Sequence, residues 1–261
     1  MGWTFEPGQL APVAVAAALY ARRAWTLRRR GRAVPAAKVL GFGGGLAVLV
    51  LALVSPVDTI GESRLFSVHM VQHLLIGDLA PLLLTLGLSG PLLRPLLVPR
   101  VVQRARVLAH PLVALPLWAS NLSVWHLPRL YDAALRHDSV HALQHTCFLA
   151  GGFLLWTSLL GPLPGPRWFG RGARLGGLAF VWVVGAALAN VFLWSDRAYY
   201  APYVAAPRTW GLSPLADQRA GGGVMLVEMM LIGAAVFVVL GLRWLAEAER
   251  RQRRLEEVVE R

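Results

Sequence analysis

Long apolar runs separated by short polar segments dominate the sequence. A helix needs about 20 apolar residues, at about 1.5 Å each, to cross a hydrocarbon layer about 30 Å thick. The pattern therefore predicts an all-α integral membrane bundle of seven transmembrane helices. The predicted spans are residues 9–20, 38–54, 65–88, 107–124, 139–160, 175–194 and 223–245. The first span is short, so a tilted or interfacial helix is an alternative there. No basic stretch precedes it, and we do not expect a removed signal peptide.

The amino-acid composition agrees with a membrane protein and excludes several soluble classes. Hydrophobic residues make up 56% of the 261 residues and charged residues 15%, whereas a soluble domain carries about 25% charged residues. The net charge of +12 does not indicate nucleic-acid binding, because the basic residues lie in short segments between apolar runs. The single cysteine, Cys147, excludes an internal disulfide and a thiolate metal cluster.

Basic residues concentrate in alternate connecting segments, which predicts the orientation of the chain. Residues 22–38 hold seven of them, residues 94–106 four, residues 167–174 three and the segment from residue 243 onward six. Arg and Lys in short loops are retained on the cytoplasmic side, so we expect the N-terminus outside and the C-terminus in the cytoplasm. The domain prediction is a seven-span membrane domain at residues 1–245 and a charged cytoplasmic helix or tail at residues 246–261, in contact with lipid headgroups.

A seven-residue string, Ser-Val-His-x-x-Gln-His, occurs at residues 67–73 and again at residues 139–145, where the third and fifth spans begin. Other short strings recur at similar offsets. We infer that the third and fourth spans repeat as the fifth and sixth, in parallel orientation about an axis along the membrane normal. Some transporters are built in this way.

Each string places two histidines four residues apart, so both imidazoles project from one face of a helix. Both spans run inward from the outer surface, and the four rings therefore share one depth just beneath it. A fifth histidine follows the fourth span at the same level. One metal ion bound by these rings would offset the cost of removing several ring nitrogens from water. The candidate ligands are His69, His73, His141, His145 and His126.

Two methionines in the outer half of the seventh span, Met225 and Met229, make copper the favoured metal. Imidazole suits zinc, copper, iron and nickel, whereas thioether selects Cu(I). Methionine at helical spacing also fills core space, so a packing role is the alternative. Glu228 lies beside them as an ionisable group inside a span, where it would act as a ligand, a proton acceptor or a partner for an arginine.

Several other polar and aromatic residues receive an expected role. The candidate supporting or ionisable residues are Gln72, Gln144, Glu228 and Asp217. Asp78 lies five residues after His73, about 140° around an α-helix, so we expect it on a different face. An interfacial aromatic belt is expected from Trp125, Trp194, Trp210, Tyr131, Tyr199, Tyr200 and Tyr203.

These strings together resemble the CtaG family of bacterial cytochrome c oxidase assembly factors, in its multi-pass form. The resemblance covers roughly residues 40 to 245. It is carried by the residues His-Met-Val-Gln-His at 69–73, Ala-Pro-Leu-Leu at 80–83, Trp-His-Leu-Pro at 125–128, His-x-x-Gln-His at 141–145, Leu-Ser-Pro-Leu-Ala-Asp-Gln at 212–218, and Gly-Gly-x-Met at 222–225. It implies a seven-span protein of the bacterial inner membrane that helps to mature a haem–copper oxidase by handling copper on the outer side.

The leading hypothesis is a non-enzymatic metallochaperone that binds copper at the histidines and passes it to a cytochrome c oxidase subunit or another copper carrier of the respiratory chain. One alternative is a b-type haem protein with histidine ligands on two helices. Another is a membrane transporter for copper or a different small substrate. A retinal protein is excluded, because the only lysine, Lys38, lies at the edge of the second span.

Overall fold

The computed structural model describes residues 2–95, 98–99, 106–161 and 165–259, and every regular element in these ranges is helical. This confirms the all-α class. The helices are α1 (Pro7–Arg29), α2 (Ala36–Val54), α3 (Pro56–Ser63), α4 (Phe66–Gly87), α5 (Gly90–Leu93), α6 (Pro111–Trp125), α7 (Pro128–Arg136), α8 (Asp138–Leu160), α9 (Arg171–Leu193), α10 (Ala201–Ala205) and α11 (Pro214–Val259). A 3-10 turn at Arg106–Ala109 precedes α6.

Within the described residues, five of the seven predicted spans are helices long and apolar enough to cross a membrane: α2, α4, α8, α9 and the Pro214–Ala246 part of α11. The other two predicted spans are helical but are not among the five. Helix α6 has 15 residues, a length of about 22 Å against about 30 Å of hydrocarbon. Helix α1 carries four arginines in its last eight residues. A seven-span topology and the orientation of the termini stay predictions.

The charged C-terminal segment continues the last membrane helix. Helix α11 runs for 46 residues, so the backbone is helical across residue 245, where we predicted the start of the charged helix or tail. Residues 260–261 and much of the predicted basic loop at 94–106 lie outside the described residues.

Helices α4 and α8 are the central pair, and they carry the two histidine strings. Helix α4 packs against α2, α3, α8 and α11, while α8 also contacts α6 and α7. Near the first residue of α4, aromatic side chains from α4, α7, α9 and α10 form one buried cluster. A second cluster around Trp156 joins α8, α9 and α11 towards the other end of the bundle. The histidines thus lie between two packed aromatic regions.

The two central helices approach most closely at Gly77 and Gly152. A Cβ atom added to Gly152 would overlap the backbone carbonyl of Gly77 and contact Pro81. Small residues at a crossing allow two membrane helices to approach backbone to backbone. Because this contact lies one to two turns below the histidines on both helices, it sets the distance between the two histidine pairs.

A π-helical turn interrupts α4 at Leu75–Leu79, where the Ala80 N–H donates to the carbonyl oxygen of Leu75. Pro81 supplies a reason for it: a proline ring clashes with the carbonyl of the residue four positions earlier, here Gly77, and cannot donate to it. Asp78 lies within this turn and lines one cavity together with His73. Residues of five helices surround that cavity, so our expectation that Asp78 and His73 lie on different faces of α4 stays a prediction.

We predict that Gly152→Ala destabilises the protein by about 1–3 kcal/mol or more, since overpacking at a backbone contact forces two helices apart. The measurement is thermal unfolding of the purified protein in detergent. Gly176→Ala in α9 is the matched control, because a Cβ there meets nothing within 4 Å. Equal melting temperatures for the two variants would contradict the close approach of α4 and α8.

Candidate metal centre

The first turn of α4 is held in place by a carboxylate from α11. The backbone N–H of Phe66 donates to Asp217 Oδ2 at 2.7 Å and that of Ser67 to Oδ1 at 3.2 Å. A carboxylate at a helix N-terminus satisfies free backbone donors and interacts favourably with the helix dipole. Asp217, which we predicted as a supporting residue, is 3% exposed, and it fixes the turn that carries His69.

Four histidines converge from two helices at this end of the bundle. They are the fourth and eighth residues of α4 and the fourth and eighth residues of α8. Each contributes one ring nitrogen to a group whose atoms all lie within 4.8 Å of one another. Their side chains are between 0% and 9% exposed. The four are His69, His73, His141 and His145.

A tyrosine fixes the proton position on His69. The Tyr203 hydroxyl donates to the carbonyl oxygen of Gly61 at 2.7 Å, so its oxygen accepts a hydrogen bond from Nδ1–H of His69 at 2.6 Å. A neutral imidazole carries one N–H, and Nε2 of His69 therefore presents a lone pair to the cluster. Gly61 allows this contact, because a Cβ there would lie 2.9 Å from the Cα of His69.

A carboxylate likewise fixes the proton position on His141, the first histidine of α8. Nδ1 of His141 lies 2.7 Å from Glu62 Oε1, so it donates its N–H to that oxygen and leaves a lone pair on Nε2. The Nε2 atoms of His141 and His69 are 3.3 Å apart. Two lone pairs that face each other at this distance repel unless a proton or a metal ion lies between them. Metal-ligating histidines characteristically donate their second nitrogen to a carboxylate or another acceptor, as both do here.

The other two histidines leave nitrogens without a partner. Both ring nitrogens of His73 and Nε2 of His145 are buried and accept or donate no hydrogen bond within the described part of the chain. Buried polar atoms in proteins are nearly always satisfied, and an exception calls for a water or an ion. The orphaned nitrogens and the two fixed tautomers fit a metal ion bound by neutral imidazoles.

The remaining predicted ligands lie beside this group. His126 donates from Nδ1 to the carbonyl oxygen of Leu122 at 2.7 Å, and its Nε2 is buried without a partner. Its ring centroid lies 6.0 Å from that of His73, but it is not one of the four convergent residues. Met225 and Met229 line a cavity together with His73 and His126. The methionines are thus adjacent to the four-histidine group rather than inside it.

The two glutamines of the repeated string have different surroundings. Gln72 donates to the Ala52 carbonyl oxygen at 3.0 Å and to Asp58 Oδ1 at 2.6 Å, which ties α4 to α2 and α3. Burial is the main cause that raises the pKa of Asp58 to about 6. Gln144 is fully buried, and its side-chain nitrogen and oxygen have no hydrogen-bond partner among the described residues.

Sequence reasoning missed two residues that orient the ligands. Glu62 was assigned no role, and Tyr203 was placed in an interfacial belt. The belt assignment is wrong for Tyr131, Tyr200 and Tyr203, which are 0%, 2% and 5% exposed beside the histidines. Burial raises the pKa of Tyr203 well above its usual range, so the hydroxyl stays protonated. The only sequence signal was that an acid precedes the first histidine string by a few residues.

Comparison with known proteins adds an independent result. The family described as cytochrome c oxidase caa3 assembly factor (Caa3_CtaG) matches residues 18–247 of the chain. The chain belongs to this family. The match includes all four convergent histidines, His126 and both methionines. Together with five apolar helices of sufficient length to cross a membrane, membership of the family indicates a membrane protein.

Relatives of this caa3 assembly factor family member occur in mycobacteria. Uncharacterized proteins of Mycobacterium bovis and Mycobacterium tuberculosis are each 30% identical over 95% of the chain, and one of Mycobacterium leprae is 28% identical over 86%. The chain spans about two fifths of the length of the first two, 40%, and 36% of the third. No solved structure matches the chain.

We predict that Glu62→Gln and Tyr203→Phe each lower the metal affinity of the centre about 10- to 100-fold, the usual effect of removing a group that orients a ligand. The affinity is measured by competition with a chromogenic chelator. The matched controls are Glu6→Gln, at an exposed position, and Tyr199→Phe, whose ring packs against Phe192. Unchanged affinity in both test variants would show that the tautomers are not set by these contacts.

Proposed function

We propose that this protein is a non-enzymatic assembly factor that binds copper at the four-histidine centre and passes it to a subunit of cytochrome c oxidase. The observation that carries the proposal is the convergence of imidazole nitrogens from two helices, all within 4.8 Å of one another, in a member of an oxidase assembly family. The proposed location is the bacterial inner membrane, with the centre on the outer side.

Copper is favoured over the other metals that imidazole accepts. A haem–copper oxidase needs copper during maturation, which connects the family to this ion. The neighbouring side chains agree, because the buried Met225 and the half-buried Met229 line a cavity together with His73 and His126, and thioether is a ligand for Cu(I) rather than for zinc. No thiolate participates, since Cys147 is the only cysteine and is not part of the group.

The ligand set suits transient binding. Four neutral imidazoles add no negative charge to the ion, and they hold it less firmly than thiolates would. The side chain of Glu62 is 40% exposed, so one edge of the centre is open. An ion can therefore enter and leave at the end of the bundle where α4 and α8 begin, which a carrier requires.

The haem alternative is not favoured by the geometry. Ligand pockets for molecules of drug size or larger occupy about 300–1,000 Å³, whereas the cavity beside the histidines measures about 70 Å³. In addition, four nitrogens within 4.8 Å of one another leave no space for a porphyrin plane between two helices.

The deciding experiment is anaerobic copper analysis of the purified full chain. We expect the wild type to retain copper after desalting, and we expect His73→Ala, His145→Ala and the variant lacking all four histidines to lose the ion that is bound at the four-histidine centre. Removing one ligand from a four-coordinate site weakens binding by orders of magnitude. His110→Ala is the matched control, because its ring contacts Trp168 rather than the centre.

Two results would contradict the proposal. One is wild-type protein that takes up no copper under reducing, anaerobic conditions. The other is copper binding that is equal in the wild type and in the variant lacking the four histidines.

A further inference from the structure

A small cavity extends from the four-histidine centre into the interior of the bundle. Its volume is about 70 Å³, and residues of α4, α6, α8, α9 and α11 line it. His73 and His126 border it nearest the centre. Asp78 and Glu228 border it farther along α4 and α11. Asp78 is five residues after His73, about 7 Å along the helix, so the cavity leads away from the centre.

Two buried histidines present unpartnered nitrogens beside this cavity. His73 is 6% exposed and neither of its ring nitrogens has a hydrogen bond; His126 is 6% exposed and its Nε2 has none. One nitrogen of His73 belongs to the four-histidine group, and the second is left over. A single ion in the outer centre would therefore still leave donors unsatisfied at the cavity.

The far side of the cavity carries two acidic side chains, Asp78 and Glu228. The indole N–H of Trp156 donates to Asp78 Oδ1 at 2.6 Å, while Glu228 Oε1 is buried and has no hydrogen-bond partner in the described part of the chain. No lysine or arginine is among the described residues that line the cavity. Ionisable groups inside a membrane bundle are costly and pair with a group of opposite charge or mark an ion site. Here the lining supplies no opposite charge.

The donors around the cavity match a soft monovalent cation. Thioether sulfur from Met225 and Met229 selects Cu(I), and imidazole nitrogen also suits copper, while an ionised carboxylate would balance the charge of the ion inside the bundle. The same set does not suit magnesium or calcium, which take oxygen ligands in larger number. A cavity of about 70 Å³ has room for an ion together with water, since about 10–15 Å³ is enough for one water molecule.

We propose that this cavity is a second, inner binding position for the same ion, formed by His73 and His126 at one side, Met225 and Met229 along the wall, and Asp78 with Glu228 at the far side. The identity of the ion rests on the proposed function. His73 borders both positions and connects them. The four-histidine centre is therefore the outer of two binding positions for the ion.

The test uses the purified full chain, titrated with Cu(I) under anaerobic conditions, with X-ray absorption to detect copper–sulfur contacts. The outer centre has only nitrogen donors, so sulfur ligation reports the inner position alone. We expect two ions in the wild type, one of them bound to sulfur. We expect Met225→Leu/Met229→Leu and Glu228→Gln to bind one ion, without the sulfur contact. Met230→Leu is the matched control, since that side chain is 68% exposed.

A further variant separates this inference from the proposed function. His69→Ala/His141→Ala/His145→Ala removes the outer centre but keeps His73, and we expect it to retain one sulfur-bound ion. A wild type that binds one ion through nitrogen alone, unaffected by Glu228→Gln and by the double methionine variant, overturns the inner position and leaves the outer centre intact. A wild type that binds no copper overturns both.

Discussion

Four neutral imidazoles face one another inside an apolar helix bundle, and this arrangement carries a free-energy cost unless a cation lies between them. Nε2 of His69 and Nε2 of His141 are 3.3 Å apart with a lone pair on each. The unfavourable contact persists because the surrounding contacts leave the helices no other position. Asp217 fixes the start of α4, and the Gly77–Gly152 approach fixes its distance from α8. The packing of the bundle thus maintains an arrangement of lone pairs that a bound metal ion would satisfy.

The spans supply the ligands, whereas the short helices between the spans supply the groups that orient them. Helix α3 contributes Glu62 and Gly61, and α10 contributes Tyr203. These connecting helices are packed rather than loose, because Tyr131 and Tyr200 stack at 4.0 Å between ring centroids against them. A binding site built in this way keeps rigid ligands on long helices and adjusts their basicity from the connecting segments. That division explains why the polar residues of the site are spread over distant parts of the chain.

The histidines could be predicted from the sequence because their geometry is local: a spacing of four residues on a helix places two rings on one face. The five apolar spans were predictable for the same reason. The orienting residues were not, because Tyr203 reaches His69 across 134 positions of the chain, and only the tertiary fold brings them together. The surroundings of Asp78 were not predictable either, because the cavity that it shares with His73 is formed by side chains from five helices, and local spacing on one helix does not reveal it.

The two copies of the histidine string share five of seven residues, but their histidines have different hydrogen-bond partners, and this difference makes the two sides of the site unlike. His141 donates to the carboxylate of Glu62, whereas His69 donates to the neutral phenol of Tyr203. The side chain of Glu62 is partly exposed, so the charged partner lies at the open edge. His73, whose ring nitrogens have no hydrogen-bond partner among the described residues, lies at the cavity edge together with Asp78. An ion captured at the charged edge thus finds its unsatisfied donors on the interior side. The two histidine strings therefore have different surroundings at the positions where a path for ion transfer would require them to differ.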